Sequence, residues 1–176
     1  METIIQQNIA KLTRLFMKRV ENGEISDIGA FASSCADDCR NQMAEMTSQL
    51  LGYLDRGFRE DKEIRRELGL RMQEHDRERT LLTDLGELRF RRDYYRQKES
   101  GAYMYPLDEM VQIDRSKRIS DEINAKLVNE AVRSSYQRAR ETVSGGKISR
   151  QTVKEKIKEA GILEKDIPKK KKKVKE

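Results

Sequence analysis

The chain has 176 residues, of which 36% are apolar and 39% charged; it contains no Trp and carries a formal net charge of +6. So much charge leaves too little apolar material for one large globular core, and suits long helices with narrow apolar seams plus small appended modules. Two Pro and ten Gly argue against an all-β chain, and the excess of Lys and Arg permits a polyanionic partner without requiring one.

In Met1–Val20, Ile5, Ile9, Leu12, Leu15 and Phe16 form a helical stripe. This stretch lacks the apolar centre and small-residue cleavage site of a signal peptide. No window approaches the apolar run of a transmembrane helix, so membrane partners are not expected and cytoplasmic residence with reduced thiols is. Asn22-Gly23 breaks the helix, and Ser26 or Asp27 caps the next.

From Asp27 to about Glu74 the helical signal is long. Ile28, Ala32, Cys35, Cys39, Met43, Met46, Leu50 and Leu54 recur at steps of four and three, a seam that calls for a coiled-coil partner. That partner is either the first helix folded back or a second chain, which leaves a homodimer open. Gly52, Gly57 and Gly69 weaken the helix, which would bend or split between Gly57 and Gly69, and Arg56–Arg79 reads as a solvated, highly charged stretch. Cys35 and Cys39 share a helical face, but the single His, His75, cannot complete a four-ligand zinc site, so no metal or other cofactor is expected. They read as small seam residues.

Thr80–Thr83 reads as a short strand, followed by a turn at Asp84–Gly86. Leu88, Phe90, Arg92 and Tyr94 then alternate with Arg89, Arg91, Asp93 and Tyr95, and Tyr103, Tyr105 and Leu107 continue the period of two after a turn at Lys98–Gly101. This predicts a three-stranded antiparallel meander whose rings form its own core, with arginines toward solvent. Arg89, Arg91, Arg92 and Arg96, set among the Tyr rings, are candidate nucleic-acid contacts by charge and stacking.

Ser120 is a candidate N-cap for a helix with Ile123, Leu127, Ala131 and Val132 on its apolar face. Two further helices follow. Tyr136, Ala139 and Val143 line one face of the first, which stops at Gly145-Gly146. Ser149 caps the second, with Ile148, Val153 and Ile157 inward and Arg150, Gln151, Lys154, Glu155 and Lys158 outward. A helix-turn-helix places the first turn of that second helix against base edges, and Arg and Gln match guanine and adenine there. The candidate DNA contacts are Arg150, Gln151, Thr152, Lys154 and Lys158, with Arg138 and Lys147 nearby. An ordinary helical hairpin with a basic face satisfies the same spacing. Lys165–Glu176 holds seven Lys, five of them consecutive, and adds Lys170, Lys171 and Lys172 as salt-dependent phosphate contacts or as a linker.

The predicted fold is thus mainly α with a small β meander. Residues 1–78 form a coiled-coil-like leader, 79–112 the three-stranded sheet, 117–163 a three-helix helix-turn-helix domain and 164–176 a lysine-rich tail.

Arg79–Glu141 resembles the N-terminal part of the ISLre-type insertion-sequence transposases, a bacterial family also catalogued as an uncharacterised protein family and similar to the mutator-like transposases. The resemblance is carried by Thr83–Phe90 around Gly86-Glu87-Leu88, by Tyr94-Tyr95-Arg96, by Gly101–Glu109 and by Arg118-Ile119-Ser120. It extends through Ser135-Tyr136, Ala139 and Ile148–Val153. Leu85, Asp93 and Pro106 depart from the family's more usual Phe, basic residue and Leu.

The resemblance implies double-stranded DNA at transposon ends as the partner, a bacterial cytoplasm, and a ribonuclease-H-like catalytic domain with three metal-binding carboxylates beyond the lysine-rich stretch. The chain stops where that domain should begin, so a truncated or split reading frame without catalysis or small-molecule substrate is expected. The residues themselves agree, offering neither a phosphate-cradling Gly-rich loop nor a convincing nucleophile–base set. The competing expectations are a coiled-coil assembly module without specific DNA binding, and a transcription regulator unrelated to transposition.

Overall fold

The computed structural model describes residues 1–161, so the lysine-rich tail, with Lys170, Lys171 and Lys172, lies outside the described residues. The chain divides into two compact units, Met1–Arg118 and Ile119–Glu176. The described residues are mainly helical, with one three-stranded antiparallel sheet among them.

In the first unit, α1 (Glu2–Glu21) ends at Asn22, and Gly23, at φ 74°, turns the chain through a 3-10 turn at Glu24–Ser26 into α2 (Ile28–Glu60). Asp27 caps α2 by accepting from the Ala30 N–H at 3.0 Å. The first helix folds back on the second, joined by Arg19–Asp38 and Lys11–Glu45 pairs. The buried face of α2 differs from the seam at steps of three and four. Phe31, Gln42, Leu51 and Asp55 are buried, whereas seam residues Ile28 and Met43 are exposed. The reason is a polar lock: buried Asn8 of α1 donates to Gln49 Oε1 at 2.8 Å and accepts from Gln42, so amides, invisible to an apolar pattern, set which faces meet.

The long helix also ends earlier than Glu74. Asp61 closes α2 and caps α3 (Lys62–Glu67), accepting from Ile64 N–H at 3.0 Å. Gly69, at φ 60°, then turns the chain into β1 (Leu70–Thr83). The expected divide between residues 78 and 79 therefore falls inside a strand. β1 pairs antiparallel with β2 (Gly86–Gln97), and β3 is only Tyr103–Met104. Tyr105 and Leu107 do not extend the sheet, because Pro106 opens a short helix, α4 (Pro106–Met110). Leu81, Leu88, Phe90 and Leu107 pack with Leu51 of α2 in the apolar core of this unit.

The arginines are not all in solvent. Arg79 and Arg92 are both 7% exposed, and both meet Asp108. Arg79 reaches Asp108 Oδ2 at 2.8 Å and donates to the carbonyls of Asp114, Arg115 and Lys117, pinning the loop after α4. Arg92 lies 3.6 Å from the centroid of the Tyr105 ring. Burial pulls the Arg92 pKa down to about 10, and the neighbouring Arg79 charge adds to this. The rings do cluster, with Tyr94 stacked on Tyr103 at 5.3 Å and against Tyr105 at 4.7 Å.

Strand β2 carries a buried carboxylate, Asp93, next to buried Asp55 of α2. Asp93 of β2 is fully buried, and its N–H donates to both oxygens of buried Asp55 at 3.1 and 3.2 Å. Asp93 Oδ2 lies 3.1 Å from Arg59 Nε, and Oδ1 accepts from Asp76 N–H at 3.0 Å, holding the irregular stretch of β1 where Asp76 has φ 51°.

The described residues of the second unit form three helices, α5 (Asp121–Arg133), α6 (Tyr136–Ser144) and α7 (Arg150–Glu159). Among the described residues its core is mainly apolar, with Ile123, Leu127, Ala131, Ala139, Ile148, Val153 and Ile157 all buried, and Ser144 buried beside them.

Candidate nucleic-acid interface

The helix-turn-helix candidate is built from caps at both ends of its turn. Gly145 and Gly146 take φ 57° and 82°, which a residue with a Cβ adopts only with strain. Their N–H groups close α6 onto the carbonyls of Glu141 and Arg140. Ser149 then opens α7, accepting from Thr152 N–H at 3.0 Å. Ile148, Val153 and Ile157 point into the core, as their spacing requires.

Two residues that sequence reasoning passed over lock this turn. Arg140 donates to the Ile148 carbonyl at 2.8 Å and to the Gly146 carbonyl at 2.6 Å. Ser144 donates to the Arg140 carbonyl and accepts from Ile148 N–H at 3.2 Å. A fixed turn fixes the direction in which the first residues of α7 project. Nothing in the spacing marks Arg140 for this, since its acceptors are backbone carbonyls.

The structure brings seven of the candidate contacts into the second unit. Arg150 and Gln151 are exposed on the first turn of α7, and Lys158 is exposed near its end. Thr152 and Lys154 are half-buried; the Thr152 hydroxyl lies 2.9 Å from that of Ser149, so it serves the cap. Gln151 donates to Glu155 at 3.0 Å, a solvent-exposed bond that a base edge can replace. Arg138 is exposed on α6, 3.9 Å from Glu130, and Lys147 is exposed in the turn.

Arg89 and Arg91 lie elsewhere, exposed on β2 in the first unit. They pair with Glu87 at 2.6 Å and Glu78 at 3.2 Å, and the Glu87 bond raises the Arg89 pKa further.

Cys35 is half-buried and Cys39 exposed, both as free thiols. Among the described residues no three His, Cys, Asp or Glu side chains are grouped to hold a metal ion, and no helix is long and apolar enough to cross a membrane.

A UPF0236 protein of Caldanaerobacter subterraneus subsp. tengcongensis is 34% identical over 168 residues, covering 93% of this chain and 35% of its own length. A second from the same organism is 36% identical over 120 residues, covering 68% of this chain and 25% of its own. The chain thus spans about a third or less of the curated relatives it matches. No solved structure matches. Residues 28–176 match the family described as Uncharacterised protein family (UPF0236), and with a 34%-identical relative along nearly all its length the chain belongs to that family.

Proposed function

We propose that this chain is the DNA-binding part of an ISLre-type transposase, that it reads transposon-end DNA through α6 and α7 in the bacterial cytoplasm, and that it is not itself catalytic. The observation that carries the reading is the clamped turn. Arg140, Ser144 and the two glycines fix the start of α7, where Arg150 and Gln151 stand in solvent with the donors and acceptors that base edges require. The resemblance of Arg79–Glu141 to that family supports the transposon end as the duplex recognised.

A gel-shift titration of the full chain against end DNA and random DNA tests it. Arg150→Ala or Gln151→Ala should cost about 1–3 kcal/mol at particular base pairs and relax preference there. Deleting Lys170–Lys173 should weaken binding to every sequence alike and flatten the salt dependence. Equal affinity for both DNAs removes the reading.

One observation favours a second reading, a coiled-coil assembly module without specific DNA binding. Ile9, Phe16, Ile28 and Met43 leave apolar side chains in solvent along the α1–α2 hairpin, at 57%, 46%, 69% and 42% exposure. Sedimentation decides. A dimer without DNA affinity at low salt supports this reading, and a monomer excludes it.

A further inference from the structure

Between α2 and β2 the first unit carries a groove of about 640 Å³ whose walls hold four arginines: Arg56, Arg59, Arg89 and Arg91. Two periodicities put them together. Arg56 and Arg59 lie three residues apart on a helix, hence on one face, and Arg89 and Arg91 lie two apart on a strand, hence on the same side. Ser48 of α2 accepts from the Arg89 N–H at 3.2 Å and holds strand to helix along the groove.

The carboxylates on the same walls are already engaged. Glu45 pairs with Lys11, Asp55 accepts from the Asp93 N–H, and Asp76 lies 3.4 Å from Arg59. Arg59 is also committed inward, to Asp93. The other three arginines are exposed. Arg56 has no ion-pair or hydrogen-bond partner among the described residues. Arg89 and Arg91 sit in surface pairs with Glu87 and Glu78, of a kind that water and salt screen strongly and that a phosphate can displace. Guanidinium groups two residues apart on a strand are spread over about 7 Å, so they meet successive anionic groups better than one small anion.

We propose that this groove is a second, sequence-independent DNA contact, in which Arg56, Arg89 and Arg91 hold phosphodiester oxygens of the duplex backbone. The inference rests on the reading of the chain as a DNA-binding protein, but it uses none of the residues of α6 or α7.

The test is the salt dependence of binding of the full chain to a random-sequence duplex of about 20 base pairs, comparing the wild type with the double variant Arg56→Ala/Arg91→Ala. Arg59 is left in place because it holds Asp93. Loss of two phosphate contacts should lower the slope of log K against log salt by about 2, with affinity at low salt falling on the order of tenfold. Glu78→Gln, which releases Arg91 from its ion pair, should instead tighten binding severalfold. A double variant with the wild-type slope, together with an unchanged Glu78→Gln, overturns the groove while leaving the α7 reading intact. A wild-type chain that binds no duplex at all overturns both.

Discussion

The two units are held together by different chemistry. The described part of the Ile119–Glu176 unit buries Ile, Leu, Val and Ala and confines its polar work to helix caps and to the turn clamp around buried Ser144. The Met1–Arg118 unit buries Asn8, Gln42, Asp55, Arg79, Arg92, Asp93 and Asp108 beside a small apolar cluster. An apolar core tolerates a change of side chain in proportion to the volume lost, whereas a buried charged network fails when any member loses its partner. The difference teaches that stability in the first unit is concentrated in a few polar contacts.

The largest effect should follow from removing Asp108. It is the carboxylate that both Arg79 and Arg92 meet, and Asp108→Ala leaves two guanidinium groups buried against each other. Urea unfolding should show a loss of about 3–5 kcal/mol. Hydrogen exchange should place that loss in Met1–Arg118 and leave the α5–α7 amides at wild-type protection. Uniform loss in both units would break the comparison.

Leu127→Ala is the counterpart in the second unit. Leu127 is fully buried, and its truncation should cost about 2–4 kcal/mol, with lowered protection confined to α5, α6 and α7. A cost well under that range would mean that the small apolar core is not what holds the helices.

Asp55 sharpens the contrast through pH. Burial, with Asp93 nearby, pushes its carboxyl up to about 6 from an ordinary 3.8, against the lowering effect of the Asp93 N–H. The folded chain therefore retains a proton that the unfolded chain has lost between those values. Stability falls as pH rises through that window, and the fall is complete above about 6. Asp55→Asn keeps an acceptor for the Asp93 N–H without the charge. It should unfold on the order of 2 kcal/mol harder than wild type at neutral pH, with the gain shrinking toward pH 4. A pH-independent difference between the two would assign the effect to something other than this carboxyl.

The same contrast explains which parts were legible in the sequence. Ser149, Ser120 and Asp27 announce themselves as caps, and Ile148, Val153 and Ile157 keep a helical spacing, so the second unit could be written down nearly residue by residue. The first half of β1 could not. From Arg71 to Glu78 nearly every residue is exposed and most are charged, and no period of two survives; the strand exists because its backbone pairs with β2. The buried arginines were equally hidden, since Arg79 finds its carboxylate 29 residues away and its other acceptors are carbonyls. The same holds for Arg140 at the candidate site, while Arg150 and Gln151 were readable because a cap and three inward residues fix their phase.

The smallest effect, and the one that ties stability to the proposed site, belongs to Ser149. Its hydroxyl accepts the Thr152 N–H at 3.0 Å and contacts the Thr152 hydroxyl, so Ser149→Ala should cost about 1 kcal/mol. The affected amides should be those of the first turn of α7, where Arg150 and Gln151 sit. If that turn orients the two side chains toward a duplex, fraying it should weaken discrimination between end DNA and random DNA more than it weakens binding to random DNA. Ser149→Asp, which retains a cap acceptor, should restore the melting temperature but place a negative charge beside the phosphates and lower affinity for both DNAs. Discrimination unchanged in Ser149→Ala, with exchange confirming a frayed turn, would detach Arg150 and Gln151 from recognition.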